Sequence, residues 1–217
     1  MRADTEIKRD VEAELLWSPE IDETDIAVKV NDGVVTLTGY AKSYFEKYRA
    51  DVAVKRIAGV RAIANDLAVR TPRGAVPPDP EIARQVVAAL RSELPCLWQN
   101  ITPLVHEGHV GLEGTVEWHY ERESAEAAVR RVPGVLSVRN SIRLKPRVFT
   151  AEIKHKIEEA FRRNAIIDAQ GITVEAQGGE VTLRGEVRSW AEHDQAQQMA
   201  WAAPGVTHVK DELTIRT

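Results

Sequence analysis

Residues 31 to 41 read Asn31-Asp32-Gly33-Val34-Val35-Thr36-Leu37-Thr38-Gly39-Tyr40-Ala41. Ile26, Val28 and Val30 alternate before this stretch, and Val35, Leu37, Gly39 and Ala41 alternate within it. Alternation at period two on both sides of an Asn-Asp-Gly turn predicts a β-hairpin, because such a turn needs residues tolerant of positive φ. Hairpins of this kind recur. Val110, Leu112, Gly114 and Val116 repeat the second strand, and so do Val181, Leu183, Gly185 and Val187.

The recurrence covers the chain. Glu6-Ile7, Glu81-Ile82 and Glu152-Ile153 open three blocks, at offsets of 81−6 = 75 and 152−81 = 71. The same offsets carry Gly33 to Gly108 and Gly179, Gly39 to Gly114 and Gly185, and Gly59 to Gly134 and Gly205. A fixed period of this length marks repeated supersecondary units. We assign these nine glycines structural roles. The blocks delimit modules at 1–70, 79–145 and 150–217, with linkers at 71–78 and 146–149.

Each block opens with an apolar stripe at helical spacing: Ile7, Val11, Leu15; Ile82, Val86, Leu90; Ile153, Ile157, Phe161. The hairpin follows, with Gly39, Gly114 and Gly185 on its inward phase, where a missing side chain lets a helix backbone approach the sheet. A second helix starts at Ser43-Tyr-Phe-Glu46 and Ser189-Trp-Ala-Glu192, which have capping-box spacing; the second block has Trp118 and Glu121 there and loses the reciprocal cap. Gly59, Gly134 and Gly205 suit the position just beyond that helix, and Pro133 and Pro204 reinforce the stop.

A last strand carries a polar residue on its apolar phase, Asn65, Asn140 or Asp211, expected to bond neighbouring backbone. The fold class is α+β: three tandem α-β-β-α-β modules. Each is a three-stranded mixed sheet covered on one face by two helices, the β-α-β part crossing over to a parallel strand. The other face carries Thr36, Thr38, Thr182 and Arg184. The brief second linker suggests that modules two and three dock as a pair.

The run Gly33 to Gly39, the Val-Thr-Leu-Arg-Gly at Val181 to Gly185, and the Ala-Pro-Gly-Val at Ala203 to Val206 with the strand after it resemble the BON domain. That bacterial module is named for osmotically inducible and nodulation proteins. Module two departs most, with Gly111-Leu112-Glu113-Gly114. The resemblance implies a non-enzymatic protein of stress-response type, associated with phospholipid or envelope components.

Bulk properties agree with a folded binding protein. The 217 residues are 43% hydrophobic and 29% charged, with a net charge of -4, so any anion-binding surface is local. Met1 precedes a charged, helix-patterned stretch with no apolar signal segment, which points to the cytoplasm; a signal removed beforehand would instead place it in the periplasm. No apolar run reaches the roughly 20 residues that span a bilayer. Cys96, the single cysteine, rules out an intramolecular disulfide and reads as a core-facing thiol. No P-loop, Gly-x-Ser-x-Gly, His-Glu-x-x-His or Cys-x-x-Cys appears, so no cofactor or enzyme is implied. His106 and His109 flank a turn and read as solvent-facing, too few for a closed metal site. His119, His155, His193 and His208 read as surface residues.

The most informative local feature runs from Arg139 to Arg163: eight cations (Arg139, Arg143, Lys145, Arg147, Lys154, Lys156, Arg162, Arg163) against Glu152, Glu158 and Glu159, a net of 8−3 = +5. It reads either as a solvated helix face or as a patch for anionic lipid. Tyr44 with Phe45, Trp118 with Tyr120, and Trp190 recur before the second helix, as staples of its start or as exposed tips for a headgroup region. The candidate lipid surface is therefore Arg143, Lys145, Arg147, Lys154, Lys156, Arg162, Arg163, Trp118 and Trp190. A protein-interaction scaffold or a small-cation sensor are the competing readings. With no Gly-x-x-Gly clamp and no aromatic strand platform, nucleic acid is ranked last.

Overall fold

The computed structural model describes residues 2–71, 77–145, 153–169 and 171–216. Three copies of one α-β-β-α-β unit follow one another. Module one runs α1 (Asp4–Trp17), β1 (Ile26–Asn31), β2 (Val34–Ala41), α2 (Tyr44–Lys55) and β3 (Ala62–Val69). Module two runs α3 (Asp79–Glu93), β4 (Ile101–His106), β5 (His109–Val116), α4 (His119–Arg130) and β6 (Ser137–Leu144). Module three runs α5 (Ile153–Arg163), β7 (Ile172–Gln177), β8 (Glu180–Val187), α6 (Trp190–Trp201) and β9 (His208–Ile215). Each sheet is its own, with the middle strand of the module at its centre.

In module one, β1 pairs antiparallel with β2 and β2 pairs parallel with β3, with Thr36 opposite Ala64. Module three repeats the register, Thr182 opposite Lys210. The alternation fixes what is inside. Val35, Leu37 and Ala41 of β2 are buried, as are Ile7, Val11 and Leu15 of α1, and in module three Val181, Leu183 and Val187 share one core with Ile153, Ile157 and Phe161. Each such side chain contributes roughly 1.5–3 kcal/mol on burial, so a module has a core of its own.

The hairpins turn where expected, with both central residues at positive φ: Asp32 at 49° and Gly33 at 74°, Glu107 at 49° and Gly108 at 76°, Gly178 at 58° and Gly179 at 92°. The sequence did not announce what holds two of these turns. The Asp4 carboxylate accepts from Asp32 N–H at 2.8 Å and Gly33 N–H at 2.9 Å, and Asp79 does the same for Glu107 at 2.8 Å and Gly108 at 3.0 Å. The first turn of each helix thus clamps a hairpin tip. The N–H groups of Gly108 and Glu107 hold the Asp79 carboxyl below its ordinary pKa.

Three expectations are corrected. A side chain on Gly39 would meet neither α-helix; its Cβ would fall 2.0 Å from the carbonyl oxygen of Asp25, the last residue of a short 3-10 turn, and φ is +117°. The same backbone entry to the first strand closes on Gly114 (Asn100 oxygen, 2.1 Å) and Gly185 (Gly171 oxygen, 1.9 Å). Second, α2 ends at Lys55, before Gly59. Gly59, Gly134 and Gly205 have φ near +90° (91°, 86° and 90°) and sit third in turns closed by Val60, Val135 and Val206 N–H groups to Ile57, Val132 and Ala203 carbonyls. Pro133 and Pro204 precede the glycine, the type II signature.

Third, Cys96 is exposed, and Leu94 is the buried residue of that segment. The first compact unit joins Met1–Val116 with Glu121–Arg143, so it holds module one and most of module two; the second holds Leu144–Thr217 with Glu117–Tyr120. Of the expected linkers, 71–78 lies in part and 146–149 wholly outside the described residues.

Candidate functional site

The basic stretch divides between different elements. Arg139, Ser141 and Arg143 alternate along β6 on its exposed phase, while Ile142 between them is buried. Lys145 follows the strand and is exposed, and Arg147 lies outside the described residues. Lys154, Lys156, Arg162 and Arg163 lie on α5, all exposed, because Ile153, Ile157 and Phe161 take the side facing the core. Arg143 closes the first compact unit and the α5 cations belong to the second. The linear count of +5 therefore adds charges carried by different elements.

On α5 the charges are loosely paired within the helix. Lys154 Nζ is 3.8 Å from Glu158, Arg163 is 3.9 Å from Glu159, and His155 Nε2 is 3.3 Å from the same glutamate. Exposed pairs at these separations hold weakly and exchange readily with other anions. Four cations against two glutamates leave 4−2 = +2 on the helix, in a chain of net charge -4. Arg162 and Arg163 also occupy the last turn, where the helix dipole favours positive charge.

Of the aromatic residues expected at the start of the second helix, Tyr120 is 61% exposed, while Tyr44, Phe45, Trp118 and Trp190 are half-buried. Tyr44 and Trp190 begin α2 and α6 instead of preceding them. Trp190 lies edge-on to His193, ring centroids 5.0 Å apart. A further exposed apolar pair, to which sequence reasoning gave no role, is Leu16 (67% exposed) and Trp17 (83%), at the end of α1. The signal was there, since Leu15-Leu16-Trp17 extends past the stripe that the core can use.

Sequence reasoning also missed the buried carboxylates. Ser43 Oγ accepts from Glu46 N–H at 3.1 Å and Ser189 Oγ from Glu192 N–H at 3.2 Å, as a capping box requires. The glutamates, however, reach past the cap. Glu46 accepts from Lys42 N–H and, at 2.6 Å, from Asp22 N–H; Glu192 accepts from Arg188 N–H at 2.7 Å and Asp168 N–H at 2.6 Å. Each joins the start of the second helix to the loop before the first strand, about 24 residues away. Glu121 is buried at the equivalent place in module two. For Glu192 burial pushes the carboxyl up, and the N–H donors of Arg188 and Asp168 outweigh it, leaving a net lowering.

His193 is buried rather than superficial, at 7% exposure. Its Nδ1 lies 3.1 Å from Asp194 and its Nε2 2.8 Å from Asp211, which also accepts from Gln197 at 2.8 Å. Asp194, then Asp211, raise its pKa against the opposing effect of burial. Modules one and two solve the same position differently: Asn65 and Asn140 donate to the carbonyls of Lys47 and Arg122, at 3.0 and 2.9 Å. The expected bond to neighbouring backbone holds in all three, with Leu67, Ile142 and Leu213 N–H groups donating to the side chain.

His106 and His109 are exposed and directly opposite across the hairpin. No group of three metal-ligating side chains occurs among the described residues. Nor is any helix among them long and apolar enough to cross a membrane.

Set against known proteins, the chain is 31% identical to the osmotically-inducible protein Y of Escherichia coli (strain K12) over 149 residues, 65% of this chain and 73% of that one. Among solved structures, CdsD, a structural protein of the type III secretion system of Chlamydia trachomatis, is similar at 13% identity and a TM-score of 0.28, covering 97% of this chain and 92% of that one. The PrgH periplasmic domain is similar at 14% identity and a TM-score of 0.24, covering 94% and 99%. Neither structural likeness is close enough to bear on function. The BON domain model matches residues 3–71, 78–146 and 150–217, one copy per structural module. With nearly its whole length accounted for in this way, the chain belongs to the BON domain family.

Proposed function

We propose that this protein associates peripherally with anionic phospholipid surfaces, and that the exposed face of α5 makes the contact. The observation that carries the reading is the sorting of α5: its apolar residues are spent on the core of module three, and Lys154, Lys156, Arg162 and Arg163 all face outward. A basic residue near an anionic membrane contributes roughly 1 kcal/mol, and the weak Lys154–Glu158 and Arg163–Glu159 pairs oppose this little. The likeness to an osmotically-inducible protein supports a role under stress. Such attraction is electrostatic and is screened by salt.

Co-sedimentation with vesicles tests it. Phosphatidylglycerol-containing vesicles are expected to carry the protein down and phosphatidylcholine vesicles to leave it in solution, with binding reduced at least tenfold between low and high salt. Reversing the four charges (Lys154→Glu, Lys156→Glu, Arg162→Glu, Arg163→Glu) is expected to abolish it. Binding that survives these changes would remove α5 from the contact.

A further inference from the structure

The three modules share a backbone but present three different open sheet faces. In module one small residues line the β3 side of the face, Ala62, Ala64 and Ala68 beside Thr36 and Thr38, with Lys29, Tyr40 and Asp66 on the same face. Module three bears charges that satisfy one another, Arg184 with Glu175 at 2.7 Å and with Glu212 at 2.5 Å, and Lys210 with Glu212 at 2.7 Å. Those contacts hold the Glu212 carboxyl down to about 2. Module two has neither pattern. At the positions of Ala64 and Lys210 it has Arg139, and at that of Ala68 it has Arg143. Both are exposed, and neither has an ion-pair or hydrogen-bond partner for its side chain among the described residues.

The surroundings of these arginines form a shallow notch. Leu104, 53% exposed, lies opposite Gly111 across the β4–β5 pair. The register shared by the other two modules places Gly111 beside Arg139. In module two the Leu136 N–H bond to Gly108 and the His109–Ser137 contact of 2.6 Å mark the same alignment. Gly111 has no positive φ, and a Cβ there would meet nothing nearer than Leu104 Cβ at 3.8 Å. Backbone conformation does not require a glycine at this point. What its absent side chain leaves is open space on the central strand, between an exposed leucine and an unpaired guanidinium. Glu113 is the one acidic residue of the face, against Arg139 and Arg143, with His106 and His109 at its end.

We propose that the open face of module two is a docking surface for an acidic polypeptide segment in extended conformation. Arg139 and Arg143 hold two carboxylates, and the Leu104–Gly111 notch receives an apolar side chain between or beside them. The two arginines are four residues apart on one strand, about 13 Å at the usual rise, which is the spacing of acids four apart in an extended peptide. Bidentate pairing with carboxylates suits arginine in particular. The site lies in the first compact unit and stands or falls independently of the lipid contact proposed for α5.

The test is a titration of the full chain, labelled with nitrogen-15, using the blocked peptide Glu-Thr-Leu-Thr-Glu and a control with lysine for both glutamates. Saturable amide shifts centred on Leu104, Gly111 and Ser141 are expected with the acidic peptide alone. The exposed double variant Arg139→Glu/Arg143→Glu is expected to weaken binding at least tenfold while its unperturbed spectrum elsewhere shows the fold retained. The four α5 reversals are expected to leave peptide binding unchanged. No saturable shift up to millimolar peptide, equal binding by the double variant, or engagement of this face by phosphatidylglycerol vesicles and not by peptide would each overturn the proposal.

Discussion

Glu192 is 2% exposed and accepts two backbone N–H groups from segments that would otherwise leave them unpaired. An N–H buried without a partner costs about 1–3 kcal/mol, so Glu192→Gln is expected to destabilise module three by that amount in urea denaturation. Because the folded carboxyl sits below its ordinary pKa, its contribution is full above the unfolded value and is lost as pH falls through the folded one. His193 has the opposite sign. Asp194 and Asp211 raise its pKa, so its contribution is complete below the unfolded value and lost as pH rises through the folded value. Module three is accordingly expected to be most stable in mildly acidic solution, and denaturation midpoints across pH 4 to 9 check this. Asp211→Asn restores the residue type of Asn65 and Asn140 and is expected to flatten the alkaline side; an unchanged profile would show that the His193–Asp211 contact contributes nothing.

At the scale of single elements, the hairpin tips carry the sharpest consequences. Glu107 holds φ at 49° without being glycine, a conformation that costs an ordinary residue roughly 1–2 kcal/mol, and Asp79 offsets it by accepting the N–H groups of Glu107 and Gly108. Asp79→Ala is expected to lower stability by about 1–2 kcal/mol through loss of those two bonds, whereas Glu107→Asn is expected to raise it by several tenths, since asparagine tolerates this region. Thermal melts of the two variants read both. Gly39→Ala belongs here too: a Cβ 2.0 Å from the Asp25 oxygen forces the strand entry apart, and a loss of about 3 kcal/mol or more is expected.

These elements also show what a linear reading can and cannot reach. Period-two and period-four patterns name the buried face directly, so Ile7, Val11, Leu15 and Val35, Leu37, Ala41 were legible. Positive φ at Gly33 was legible from the turn, and at Gly59 from its place after the second helix, though the turn type there was not. The partners of Glu46 and Glu192 were hidden because Ser-x-x-Glu looks complete within four residues, while the acceptor serves a loop 24 residues away. The basic stretch was legible only as a count: charge along the chain does not say that Arg139 and Arg143 sit on the exposed phase of a strand and Lys154 and Arg162 on the exposed side of a helix.

For the whole molecule, three separate sheets mean that the loss of one core need not remove the others. Phe161 is 1% exposed and packs with Ile153, Ile157, Val174, Val181 and Leu183, all within module three. Truncating a buried phenylalanine typically costs about 3–5 kcal/mol, a large share of what a module of this size can hold. Phe161→Ala is therefore expected to unfold module three at a temperature where the first compact unit stays folded, giving two transitions where the parent chain shows a narrower one. Hydrogen exchange followed by mass spectrometry locates the effect: protection should fall across residues 153–216 and persist in β2 and β5. If β2 and β5 lost protection together with β8, the modules would be a single cooperative body, and the peptide surface of module two could not be varied independently of the lipid surface of module three. Retained protection would instead account for three divergent surfaces on one backbone: each module answers for its own core, so each open face is free to acquire a different ligand.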